Sequence, residues 1–190
     1  MNNLCADAET KQAVMVDLAK VSTMLVVSRL LSSQEQKVSF MDQSWSESSV
    51  HTLVGFVTYD VLVRKLVPNP FTDPTAAAVF NTWLKVGTML VVSRLLSGQS
   101  LNDRAWQMAS LYTLLGFTTY DVVTKRLLPN TFKDETTRAV FDDTLAFGTM
   151  FVVSQLLAGN PLNERWMRDS AYTLAGFAAY NYGTKPLLKL

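Results

Sequence analysis

The chain is 190 residues long and carries 17 Lys and Arg against 16 Asp and Glu, a net charge of +1, so no global field draws it to nucleic acid. One cysteine, Cys5, and one histidine, His51, exclude an intrachain disulfide, a cysteine-based zinc cluster and a His-rich metal site, and no cofactor motif is visible. Hydrophobic residues make up 48% and charged residues 17%, below the roughly 25% charged share of soluble domains, yet the mean hydropathy is only +0.14.

The N-terminal stretch MNNLCADAETKQ is polar and acidic and lacks the basic region and apolar core of a secretory signal. Beyond it the chain repeats itself. TMLVVSRLLS at Thr23 returns at Thr88 and, as TMFVVSQLLA, at Thr149. Each copy is followed by a TLxGFxxY segment, at Thr52, Thr113 and Thr173, and the linkers PNPFTDPTAAAVF from Pro68 and PNTFKDETTRAVF from Pro129 also match. Three tandem units follow, 1–66, 67–127 and 128–190, and repetition at this level governs how every motif is read.

Each unit predicts two helices, A and B. In the second unit Asp73-Pro74 starts helix A, with the aspartate as N-cap and the proline at the first helical position, and Gly98 stops it. Helix B follows Leu101-Asn102-Asp103 and ends at Pro129; Leu162-Asn163-Glu164 repeats that start in the third unit. Both helices span about 22–25 residues, or about 35 Å, which is bilayer length. Short A–B loops make each unit an antiparallel hairpin. The expected fold is all-α: three tandem helical hairpins forming one six-helix transmembrane bundle, residues 1–190, with a pseudo-threefold internal repeat.

Hydropathy alone supports the bilayer weakly, because Lys20, Arg29, Lys85 and Arg94 interrupt the A helices. Three patterns support it further. Trp45, Trp106 and Trp166 open the B helices, and Tyr59, Tyr120 and Tyr180 follow fourteen residues later, about 21 Å along a helix, as two interfacial aromatic belts. Gly55, Gly116 and Gly176 in helix B, with Gly87 and Gly148 in helix A, predict close backbone packing of the kind lipid-embedded helices use. Nine Lys or Arg on the terminal side of the helices face six on the other, a mild bias toward cytosolic termini. A soluble six-helix bundle, with the same residues as its core, is the competing expectation.

The B helices keep an aspartate in apolar surroundings. Asp60 and Asp121 occupy one register, with Asn181 in the third unit, and Lys20 and Lys85 occupy one register in the A helices, with Ala146 in the third. Where the carboxylate is lost, so is the lysine. These residues are expected to form interhelical charge pairs that clasp A to B; the alternative is an ion or proton pathway in a small transporter or channel. The stripe Thr113, Gly116, Tyr120, Thr124 is expected to be a packing seam, or else a polar pore lining. No nucleophile elbow, phosphate loop or acid–base pair is visible, so no catalytic residue is assigned and the chain is expected not to be an enzyme.

The phrases GTMFVVSQLL and W…TLxGFxxYxxxTK resemble those of small multi-pass membrane proteins and minor capsid proteins of nucleocytoplasmic large DNA viruses, across each repeat. The resemblance implies a structural or assembly role in a virion inner membrane, with partners that are the lipid bilayer and other capsid or membrane proteins meeting the polar loops. It implies no functional residues.

Overall fold

The computed structural model describes residues 7–36, 39–40 and 42–190; Cys5 and Lys37 lie outside them. Among the described residues all regular structure is helical. Helix α1 spans Ala8–Gln36. Helix α2 spans Gln43–Thr58 and runs without a break through a π-helical turn, Tyr59–Val63, into a last α-turn, Arg64–Leu66. Helix α3 is Pro74–Leu96. Helix α4 is Arg104–Thr119, continued by the π-turn Tyr120–Thr124 and by Lys125–Leu127. Helix α5 is Glu135–Leu157, and α6 is Glu164–Ala179, continued by Tyr180–Thr184 and Lys185–Leu188.

The starts and stops follow local chemistry. Asp42, Asp73, Asp103, Asp134 and Asn163 each accept a hydrogen bond from a backbone N–H in the first turn of the helix that follows, which satisfies an orphan donor; the four aspartates also place charge at the positive end of the dipole. Gly98 and Gly159 take φ values of 65° and 69°, the left-handed conformation that ends a helix at little cost for a residue without Cβ. The linkers are clipped to the helix they precede. Asn69 accepts from the Phe71 N–H and donates to the Ala77 carbonyl and to Asn81, and Asn130 repeats this with Phe132, Arg138 and Asp142.

The most extensive packing crosses the unit boundaries. Helix α2 lies along α3, α4 along α5, and α6 returns to lie along α1, while the helices within one unit touch more lightly. The reason is three glycines. A Cβ on Gly55 would stand 2.6 Å from Met89 Cα, one on Gly116 2.7 Å from Met150 Cα, and one on Gly176 2.6 Å from Met24 Cα. Only a residue without a side chain lets the two backbones approach that closely. Gly87 and Gly148, expected to act in the same way, do not: a Cβ on either meets nothing within 4 Å. They sit on helix faces that no neighbour approaches.

Among the described residues most of the buried ones are apolar, but Thr10, Asp17, Asp60 and Asn181 are buried with them and many large apolar side chains stay exposed. Val50, Leu95 and Leu156 are more than half exposed, whereas Asp60 is 2% exposed and Asn181 3%. A centre of Val86, Phe117 and Met150 is packed by Phe147 and Phe151 among others, with the Phe147 and Phe177 rings stacked 4.1 Å apart. Among the described residues only α3 and α5 are long and apolar enough to cross a membrane by length and composition. The other four fall short because α1 carries Glu9, Lys11, Asp17, Lys20 and Arg29, and because α2, α4 and α6 have only 16 α-helical residues before their π-turns, with Glu47, Arg104 and Arg165 in their first two turns.

Candidate functional site

The three π-turns begin at the same place in the repeat, at Tyr59, Tyr120 and Tyr180. In an α-helix consecutive side chains diverge by about 100°, so a Tyr-Asp pair could not both face inward with ease. Widening the turn brings them round together: Tyr59 with Asp60, and Tyr180 with Asn181, are both buried. Single π-turns inside α-helices often mark functional positions. The three tyrosines are therefore interior residues, 7%, 9% and 3% exposed, and not the interfacial belt expected from their spacing. The tryptophans Trp45, Trp106 and Trp166 keep partly exposed positions at the opposite ends of the B helices. There the Arg29 and Arg94 guanidinium groups lie 5.7 and 5.5 Å from the Trp45 and Trp106 rings, and Arg94 pairs with Asp103 at 2.7 Å.

At the level of the π-turns the structure assembles a polar ring, with pairings that differ from those expected. Lys20 does not pair with Asp60, nor Lys85 with Asp121. Lys20 Nζ meets Asp143 at 2.5 Å and Lys85 Nζ meets Asp17 at 2.5 Å. Each lysine thus reaches from the A helix of one unit to the A helix of the unit before it, the first unit reaching the third. The B-helix residues pack onto these carboxylates: Asn181 donates to Asp143 at 2.9 Å, Asp60 lies against Asp17 and Lys85, and Thr82 donates to Asp121 at 3.4 Å. Arg64, one turn after Asp60, pairs instead with Glu9, and Lys185, one turn after Asn181, pairs with Glu135 at 3.4 Å.

Asp17 and Asp143 were missed in the sequence, although a signal was present. They share one register, with Thr82 in the second unit, three residues before Lys20, Ala146 and Lys85 respectively in the order first, third, second. In the first unit that spacing puts Asp17 and Lys20 on one helix face, yet each pairs with a neighbouring helix, Lys20 with Asp143 and Asp17 with Lys85.

Inside the ring lies a cavity of about 350 Å³. Asp17, Lys20, Lys85 and Asp121 form its charged end; Phe56, Phe117, Phe147 and Phe177, with Met24, Met89 and Met150, form its walls; Thr52 and Thr113 also line it. The lysines are anchored by rings as well as by carboxylates, Lys20 Nζ standing 5.5 Å from the centre of Phe177 and Lys85 Nζ 5.7 Å from that of Phe56. Among the described residues no group of three or more His, Cys, Asp or Glu is arranged to hold a metal ion. His51 is half-buried and bonds to Ser97 Oγ at 2.9 Å, away from the ring.

No family profile, no curated protein and no solved structure matches this chain.

Proposed function

We propose that the chain is a six-pass integral membrane protein, three helical hairpins closed in pseudo-threefold fashion, with a structural or assembly role and no catalysis of its own. The observation that carries the membrane part is the wide exposure of large apolar side chains along helices that bury Asp17, Asp60 and Asn181 within an otherwise apolar core, which suits helices solvated by lipid and paired within. The two helices that meet the length and composition of a span are only 6% buried in their most apolar windows, so their apolar surface is available to acyl chains. The four less apolar helices complete the bundle with their charges turned to the ring or to the ends.

The structural part is supported by the ring lysines. Both are held in ion pairs that tie one unit to another. The linkers clipped by Asn69 and Asn130 offer ordered polar surfaces at one end of the bundle. In keeping with the resemblance to membrane and minor capsid proteins of large DNA viruses, the membrane is a virion inner membrane, the partners are capsid or membrane proteins meeting those loops, and the termini face the cytosol. Alkaline carbonate extraction of membranes from expressing cells tests the first step: the protein stays in the pellet and needs detergent for release. Recovery in the supernatant as a single soluble species overturns it.

The axial cavity favours one second reading, a small transporter or channel in which Asp60, Asp121, Lys20 and Lys85 handle the solute. The double variant Asp60→Asn, Asp121→Asn separates the two. A scaffold keeps its assembly, since Asn181 already occupies that register, whereas a transporter loses flux in proteoliposomes with its fold intact.

A further inference from the structure

The polar ring has three sectors of like construction, and one of them lacks a part. In the first, Asp17 and Asp60 surround the Lys85 ammonium, which stands over Phe56. In the third, Asp143 and Asn181 meet beside the Lys20 ammonium, which stands over Phe177. In the second, the carboxylate is Asp121 and the ring is Phe117, but Ala146 occupies the register of the lysine. Asp121 there accepts a hydrogen bond from Thr82 and, among the described residues, makes no ion pair; Lys125 acts on it only from the exposed terminal turn of the same helix.

The space is not refilled by protein. Thr82, Phe117, Asp121, Ala146 and Phe147 all line the 350 Å³ cavity, a volume within the range of small-molecule sites. We propose that this sector binds the ammonium group of a small organic amine, with the charge between the Asp121 carboxylate and the face of Phe117 and the alkyl body among the phenylalanines and methionines of the cavity. The chemistry of the walls selects this class. An inorganic cation such as calcium asks for six or more oxygens, and the sector offers one carboxylate and one hydroxyl. An ammonium on an apolar stem is satisfied by a carboxylate and an aromatic face, which is how the same protein holds its two lysines. The inference concerns binding alone and holds whether the bundle serves as scaffold or as transporter.

The test uses the full chain purified in detergent and n-butylammonium, a lysine side chain without its backbone, with n-butanol as the neutral probe of the same shape. Isothermal titration is expected to show saturable single-site binding of the amine, with the alcohol weaker by about tenfold or more. Asp121→Asn, a change the third sector carries naturally, is expected to weaken the amine by a similar factor and leave the alcohol unchanged. Ala146→Lys is expected to abolish amine binding and raise the unfolding temperature; should it not fold, Ala146→Leu, which fills the space without charge, is expected to abolish binding as well. Equal affinity for amine and alcohol, full affinity in Asp121→Asn, or no saturable binding to the unaltered protein overturns the proposal. Carbonate extraction is indifferent to all of these outcomes, so the membrane reading stands or falls separately.

Discussion

Two kinds of helix contact hold this molecule, and they are built differently. Within a unit, α1 and α2, α3 and α4, or α5 and α6 are joined by a loop and touch lightly; between units, α2 and α3, α4 and α5, or α6 and α1 press backbone to backbone at a glycine. The hairpin within each repeat unit is thus not the tight unit of packing. The two lysine ion pairs fall on the same side of the distinction, since each joins different units. Connectivity does not explain the difference: α2 and α3 are joined through 67–73 and α4 and α5 through 128–134, links as short as the 97–103 loop within the second unit, and only α6 and α1 lack one, so the tight contacts come from the glycines.

The largest effect is expected where that difference is greatest. Gly116→Ala puts a methyl group 2.7 Å from Met150 Cα and 2.8 Å from its carbonyl oxygen. Backbone cannot swing aside as a side chain can, so the helices must separate, at about 3 kcal/mol, the upper part of the usual overpacking range. Gly176→Ala should cost as much although α6 and α1 are far apart in the chain, because Met24 Cα lies equally close. Thermal unfolding in detergent followed by tryptophan fluorescence reads both. A cost below about 0.5 kcal/mol at Gly176 would mean that the first and last units do not close on each other.

Next comes the ion pair across the seam between the first two units. Lys85→Ala leaves Asp17 and Asp60 together without their cation. Breaking a buried pair costs about 3–5 kcal/mol; the Lys85 side chain is 34% exposed and that of Asp17 12%, so about 2 kcal/mol is expected. Adding Asp17→Thr to Lys85→Ala recreates the combination of Thr82 with Ala146 that the second and third units already use. The double variant should regain at least half of the loss in the same unfolding measurement, and a further loss would show that Asp17 has a role apart from Lys85.

The glycines also show how far the sequence could be read. Gly116 and Gly148 are both mid-helix, both repeated, and equally suggestive on paper. One faces Met150 and the other faces open space, a matter of helix rotation that repetition does not encode. Helix number, boundaries and caps were legible because each depends on a few adjacent residues: Asp73-Pro74, Asp103, Gly98. The partner of Lys85 was not, because nothing local says which unit lies across the seam. Nor were the π-turns at Tyr59, Tyr120 and Tyr180, which turned three expected surface anchors into core residues. Gly148→Ala should therefore stabilise by about 0.5–1 kcal/mol, the ordinary helix preference for alanine, and Gly87→Ala likewise. Destabilisation at either position would reveal a neighbour on that face, such as a second copy of the chain in the detergent micelle.

The smallest effect lies at the helix caps, outside both kinds of contact, and it separates charge from hydrogen bonding. The backbone N–H groups of Trp106 and Ala105, with Arg94 beside them, hold the Asp103 carboxyl below the usual carboxylate range. Its folded-state pKa is depressed, so its stabilising contribution is present above the unfolded value, near pH 4, and is lost as pH falls through the folded one. Asn163 caps α6 through the same bond to the Trp166 N–H but cannot titrate. Asp103→Ala should lower the unfolding temperature slightly at pH 7 and by less with each step below pH 4, whereas Asn163→Ala should lower it by a constant amount over the same range. Parallel behaviour of the two variants would show that the charge of Asp103 adds nothing to its hydrogen bond.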